Sequence, residues 1–289
     1  VSEHPELIDI NFGEYFCGDW IHMNSVDYNP KFDQILMSAH NFDEVWIIDH
    51  STTTEEAASH EGGNYGHGGD LLYRWGNPRT YDRGDASDKK LYFQHQCCWV
   101  KPGLPGAGNI LVFSNGNTRP GGPISSVDEL TPDINNDTGE YYLPPGGTYG
   151  PDDLSWQYLL PPDLFSAGFG GAQRMLNTNT FICAGWVGIF IEVTPDKQIV
   201  WTYVNPYPYP GGQVYRSQYI FTPPVNKPPE QPTITGPSEA KTNNAAPYNF
   251  TTIDPEDDKI YFFVDWGDGT NSGWIGAYAS GEVITASHV

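Results

Sequence analysis

The stretch "DQILMSAHNFDEVWIIDH", residues 33–50, decides how the chain is read. It holds an apolar run, a turn, and a second run that ends on an acidic residue. Short alternating runs bounded by turn residues argue for strands rather than helices. A loop later, "GGDLLYRWGNP" (68–78) supplies a third run around a tryptophan. The same succession returns in "GNILVFSNG" (108–116), "SSVDEL" (125–130) and "LSWQYLLPP" (154–162). It returns again within "NTFICAGWVGIFIEVTPDKQIVWTYVNP" (179–206). The third runs carry Trp75, Trp156 and Trp201, and Pro78, Pro161 and Pro206 close them. Strand series that repeat in this way are the mark of propeller blades. The units exceed the usual ~40–45 residues because loops such as "STTTEEAASHEGGNYGHGG" (51–69) and "PDINNDTGEYYLPPGGTYGPDD" (132–153) are inserted.

Each unit needs an innermost strand just upstream. The segments there are "DWIHMNSVDYN" (19–29), "LYFQHQCCWV" (91–100) and "GFGGAQRML" (168–176). This alignment puts His22, His95 and Gln173 at comparable places on three inner strands. In a propeller, side chains near the starts of those strands converge on one opening, where several blades can build a site. About three blades are expected, whereas a closed ring uses at least about four. The remainder is expected upstream of Val1 or in another chain. The opening "VSEHPELIDI" reads as the interior of something, so a processed or partial product is expected.

Composition agrees with an all-β protein. The chain of 289 residues has 32 Gly, 25 Pro and 14% aromatic residues, and its net charge is −22. No basic stripe exists to displace counterions from phosphates, which argues against nucleic acid. The charge suits a secreted or cell-surface protein, with the periplasm as a variant. No apolar run approaches the roughly 18 residues of a membrane-spanning helix. Of the four cysteines, Cys17, Cys97, Cys98 and Cys183, none forms a CxxC pair. Zinc ribbons and thioredoxin chemistry are therefore not expected. One or two disulfides are compatible with an extracellular site, and buried free thiols are the competing expectation.

The texture changes after Thr222. Residues 1–222 are read as the propeller part, 223–232 ("PPVNKPPEQP") as a stiff Pro-rich linker, and 233–289 as a separate β module. There "KIYFFVDW" followed by "GDGT" reads as a strand and a hairpin turn. Asp265-Trp266-Gly267-Asp268-Gly269 resembles the marker of polycystic-kidney-disease (PKD) modules, which are Ig-like sandwiches. Such a sandwich has about seven strands, and only four or five are legible. Asp254, Asp257, Asp265 and Asp268 offer hard oxygen ligands that could hold Ca²⁺. His50, His60 and His67 lie near Glu61 and Asp70 in a Gly-rich loop, with no specific metal-ligand spacing.

With "DWIHMNSVDYNP", "EVWIIDHSTTTEEAASHEGG", "GGDLLYRWGNP", "GNILVFSNGNTR" and "GAQRMLNTNTFICAG" in view, residues 1–222 resemble the aryl-sulfate sulfotransferase family of bacteria and archaea. The resemblance implies a six-bladed propeller. It also implies transfer of a sulfuryl group between phenols, through a sulfated histidine, with no cofactor required. It makes His22 and His95 channel histidines, Arg119 the sulfate-binding arginine, and Asn24 a residue that orients His22 or touches substrate. Neutral imidazole can carry the group, histidine can protonate a leaving phenolate near neutral pH, and the Arg fork suits sulfate oxygens. The stretch comparable to the family's nucleophile strand holds Gln173 and Arg174 as substrate-binding candidates, and no histidine. Two functions are expected in competition. One is a sulfotransferase-like enzyme acting on an aryl sulfate or phenol. The other is a non-catalytic extracellular structural, adhesive or filament-forming protein, completed by other copies of itself or by neighbouring chains.

Overall fold

A computed structural model of the protein describes residues 1–13, 18–207, 212–220, 227–241 and 243–289. The chain divides into two compact units, Val1–Tyr219 and Ile220–Val289. Cys17 lies outside the described residues, as do Pro223–Asn226 of the Pro-rich stretch.

The first unit contains three four-stranded antiparallel sheets, each wound in chain order. The first sheet is β1 (Met23–Asn29), β2 (Gln34–Ala39), β3 (Glu44–Asp49) and β4 (Leu71–Trp75). The second is β5 (Gln94–Trp99), β6 (Ile110–Ser114), β7 (Ser126–Leu130) and β8 (Trp156–Leu159). The third is β9 (Gly171–Arg174), β10 (Thr180–Ala184), β11 (Ile189–Val193) and β12 (Ile199–Val204). The repeated runs of the sequence are the second, third and fourth strands of each sheet, and the upstream segments are the first. Up-and-down sheets of four are the form that propeller blades take.

Sheets pack face to face through apolar residues. Leu36, Val45 and Ile47 of the first meet Cys97, Ile110 and Val112 of the second in one core cluster. Leu111, Phe113 and Val127 of the second meet Ala172, Ile182 and Ile191 of the third in another. Trp75 is buried, whereas Trp201 is 45% exposed. The difference follows from β12, which is exposed along its whole length and has no sheet against its outer face among the described residues.

The first strands are locked together by side chains reaching across to neighbouring backbones. Ser25 Oγ accepts from the Cys97 N–H at 2.9 Å, and Asp27 accepts from the Trp99 N–H at 2.9 Å. Gln96, at the register position of Ser25, accepts from the Ala172 N–H at 2.5 Å. A Cβ on Gly171 would overlap that same Gln96 oxygen, so a larger residue where β9 closes on β5 has to push the Gln96 amide aside.

A buried ion pair ties down the N-terminal segment. The Arg74 guanidinium holds Glu44 at 2.6 Å, with both side chains fully buried. It also donates to Thr80 and to the backbone carbonyls of Pro5 and Leu7. Full satisfaction of this kind lets a charge pair persist in a core.

Cys97, Cys98 and Cys183 are free thiols. Among the described residues, no helix is long and apolar enough to cross a membrane.

The second unit has a three-stranded sheet, β13 (Thr233–Thr235), β14 (Ala246–Thr251) and β17 (Ile284–His288), and a hairpin, β15 (Ile260–Asp265) and β16 (Asn271–Tyr278). Phe250 and Ile284 of the sheet pack with Ile260 and Phe262 of the hairpin. The "DWGDG" turn joins β15 to β16. Asp265 there accepts from the Gly267 N–H, and Asp268 accepts from Thr270.

Candidate functional site

The site forms where the first two sheets begin. Ile21 and His22 lie beside the end of β2, because the His40 N–H donates to the His22 carbonyl and the Asn41 N–H to that of Ile21. The short 3-10 turn His40–Phe42 then carries the His40 ring toward His22. The following Asp43 accepts from the Phe93 N–H at 2.6 Å. Gln94 donates to the carbonyls of Ala39 and Glu44. These bonds fix the start of β5 against the same corner, and His95 completes the group.

Three imidazoles meet there. Ring centroids are 4.5 Å apart for His22 and His40, 4.8 Å for His40 and His95, and 5.8 Å for His22 and His95. One ring nitrogen from each lies within 4.8 Å of the others. All three are partly buried.

Each Nδ1 has its own oxygen partner. His22 pairs with the Asp19 carboxylate, His40 with Asn41 Oδ1 at 2.8 Å, and His95 with Asn115 Oδ1 at 2.7 Å. The amide orientations are fixed independently. Asn115 Nδ2 donates to the carbonyls of Ser166 and Phe169, and Asn41 Nδ2 donates to that of Asp19. Both amide oxygens therefore face imidazoles and can only accept, so the protons of neutral His40 and His95 sit on Nδ1. Their Nε2 lone pairs are left for chemistry. Burial, with His22 and His95 nearby, pulls the pKa of His40 down to about 4. Burial also lowers that of His95. Both rings are neutral at pH 7.

An aromatic wall adjoins the group. Phe93 packs 4.9 Å from His40 and Phe169 6.0 Å from His95. Tyr215 and Trp186 pack against Phe169 in tilted geometry, and the Tyr215 hydroxyl donates to the Asn24 carbonyl at 3.1 Å.

The register corrects the expected equivalence of His22, His95 and Gln173. His22 (φ 51°) and Phe93 (φ 56°) are the left-handed residues that precede β1 and β5. The unpaired bulge residues are Asn24 and His95. His22 thus corresponds to Phe93, and His95 to Asn24. His40 and Asn115, the residues just past β2 and β6, correspond in turn. The pair Asn24/His40 of the first sheet is the pair His95/Asn115 of the second with the residue types exchanged. Matching inner-strand positions are therefore not what brings His22 and His95 together.

Other expected site residues are engaged elsewhere. Arg119 donates to the Ile124 carbonyl at 3.1 Å and to Ser126 at 2.5 Å, lies 3.9 Å from the fully buried Asp128, and stacks on Tyr92. A carboxylate buried this deeply needs a counter-charge, and Arg119 supplies it instead of facing the histidines. Arg174 is buried against Glu129 of the second sheet and stacks on Trp156, as an ion pair between sheets. Gln173 exchanges hydrogen bonds with the Tyr219 backbone. Asn24 Nδ2 donates to the Gln94 carbonyl at 2.8 Å, within the seam between β1 and β5. Asp254, Asp257, Asp265 and Asp268 do not gather into a ligand group among the described residues. The Asp254 oxygen caps its own turn through the N–H groups of Glu256 and Asp258, and Asp268 faces His288. His50 pairs with Asp33 and His60 with Asp70. His60 and His67 line a separate cleft of about 900 Å³, alongside Tyr65 and Tyr141.

The residues that sequence reasoning missed are His40, Asp19, Asn41 and Asn115, with Phe169 and Tyr215 in the wall. His40 follows the apolar run "QILMSA" directly, and the 3-10 turn His40–Phe42 there brings its ring to the site.

No curated protein matches the chain. Among solved structures, the PKD domain of an M14-like peptidase from Thermoplasmatales archaeon SCGC AB-540-F20 is 44% identical over 22% of this chain, with a TM-score of 0.22. A protein of unknown function from Bacteroides caccae is 12% identical over 92% of this chain, with a TM-score of 0.39. The chain spans 66% and 65% of those two chains, respectively. Residues 8–141 match the family model for arylsulfotransferase (ASST), and the three converging histidines all fall within them.

Proposed function

We propose that the first unit is an arylsulfotransferase-type site that moves a sulfuryl group from an aryl sulfate to a phenol. The observation that carries this reading is the meeting of His22, His40 and His95 inside the matched segment, each ring held by its Nδ1. His95 is the nucleophile in this reading. Asn115, anchored on two backbone carbonyls, fixes its ring, and burial keeps it neutral. Its Nε2 lone pair attacks sulfur, the S–O(aryl) bond breaks, and the electron pair leaves on the phenolate oxygen. His22, whose Nδ1 is held by Asp19, protonates that oxygen in this reading. The acceptor phenol then gives its proton back to His22 as its oxygen takes the sulfuryl group from His95. The wall of Phe93, Phe169 and Tyr215 suits the flat face of an aryl ring. Arg216, exposed beside Gly171 and next to Tyr215 in sequence, is the cation in this reading for sulfate oxygens, in the role expected of Arg119.

The test is release of nitrophenol from 4-nitrophenyl sulfate in the presence of phenol. His95→Ala is expected to abolish it, and His22→Ala to lower it by about 10²–10⁴-fold, the usual worth of acid–base catalysis. No release by the native protein, or full release by both variants, would refute the assignment.

A further inference from the structure

The same corner carries a second chemistry, which goes beyond sulfuryl transfer and does not require it. We infer that His22, His40 and His95 form a three-histidine site for a divalent late transition metal, zinc first, with an open fourth position.

The ligand type is right, because neutral imidazole suits Zn²⁺, Co²⁺, Ni²⁺ and Cu²⁺ and competes poorly for harder ions. The outer partners are right as well. Metal-bound histidines almost always give their other N–H to a carboxylate, carbonyl or similar oxygen, which fixes tautomer and ring orientation. Here every Nδ1 already has such a partner: a carboxylate at Asp19 and amide oxygens at Asn41 and Asn115. Three Nε2 atoms remain for one ion.

The distances are within reach. Zn–N bonds of ~2.0–2.1 Å in a tetrahedral site put ligand nitrogens about 3.3 Å apart. One ring nitrogen of each histidine lies within 4.8 Å of those of the other two, so a closure of up to about 1.5 Å suffices. His22 is the ring free to make it, since its side chain is 38% exposed. His40 and His95 are held by packing against Phe93 and Phe169. The chain's other histidines have no such geometry. Among the described residues, this is the one group of three ligand side chains close enough to share an ion. Three protein ligands leave a fourth position for water or a substrate oxygen, as catalytic zinc sites do. A bound ion would use the lone pairs that sulfuryl transfer needs, so occupancy and transfer exclude each other.

The test is titration of the metal-free full chain with Zn²⁺ by calorimetry and with Co²⁺ by visible absorption. One ion per chain is expected, with the absorption of a tetrahedral Co²⁺ centre. His40→Ala is expected to weaken binding by about 100-fold or more. Asn115→Ala, which touches no metal, is expected to weaken it by about 10–100-fold, as loss of an outer partner does. His60→Ala should leave it unchanged. X-ray absorption on the Co²⁺ form should count three imidazoles, which keeps the test decisive if His40→Ala fails to fold. Absence of stoichiometric binding, fewer than three imidazoles, or affinity that follows His60 instead of His40 would overturn the site. Metal binding without nitrophenol release would leave this inference standing and sink the transfer reading. Release without metal binding would do the reverse.

Discussion

His40 sits at the centre of the site and has the most distinctive environment of the three rings. A histidine in an unfolded chain titrates near 6.5, and burial holds this one at about 4. Between those values the unfolded chain binds a proton that the folded chain does not. Stability therefore rises with pH across this window, and is lost as pH falls from about 6.5 toward 4. The partly exposed ring limits the effect to the order of 2 kcal/mol. In urea unfolding at pH 7 and pH 4.5, His40→Gln should lose less stability on acidification than the native protein. Asp43 and Asp128, whose carboxyls burial raises, titrate in both proteins and cancel from the comparison. Equal losses would mean that the ring is solvated. His22 and His95 were legible because each precedes or enters a strand-like run in an aromatic context. His40 was not, since a histidine after an apolar run reads as an exposed turn residue, and nothing local says that Phe93 covers it. Arg119 was misread for a related reason. Its carboxylate partner, Asp128, looks in sequence like an ordinary outward-facing strand acid, and only the stacking of sheets buries it.

At the scale of elements, the sequence announced nearly every strand of the first unit. Apolar alternation, turn residues and the recurrent tryptophans located twelve strands in three fours. It did not announce the seam between sheets, where side-chain oxygens of one first strand cap N–H groups of the next. Nor did it show the bulges at Asn24 and His95, which shift the register by one residue and decide which side chains face the site. A bulge is a property of pairing and leaves little trace in one strand's composition. The seam gives a direct expectation for Gly171. An alanine there must displace the Gln96 amide, and overpacking of this kind costs about 1–3 kcal/mol. Gly171→Ala should lower the urea midpoint accordingly, and adding Gln96→Ala should recover part of the loss by removing the clash. A midpoint unchanged by Gly171→Ala would show that β9 does not close on β5 as described.

At the scale of the whole molecule, composition was a good guide to class. Abundant Gly and Pro and scarce helical periodicity gave an all-β chain in two units, each with its own core. The PKD-type marker gave the hairpin turn of the second unit, where turn N–H groups bond to one oxygen each of Asp254, Asp265 and Asp268. What no local pattern could supply was the meeting of residues 22, 40 and 95. That meeting depends on the first two sheets packing with their first strands side by side, and both proposed chemistries depend on it. Histidine ring ¹⁵N resonances of the native chain and of His40→Ala test it most directly. Removing His40 should shift the ring signals of both His22 and His95 while leaving those of His60 and His67 in place. Unmoved His22 and His95 signals would contradict a shared site.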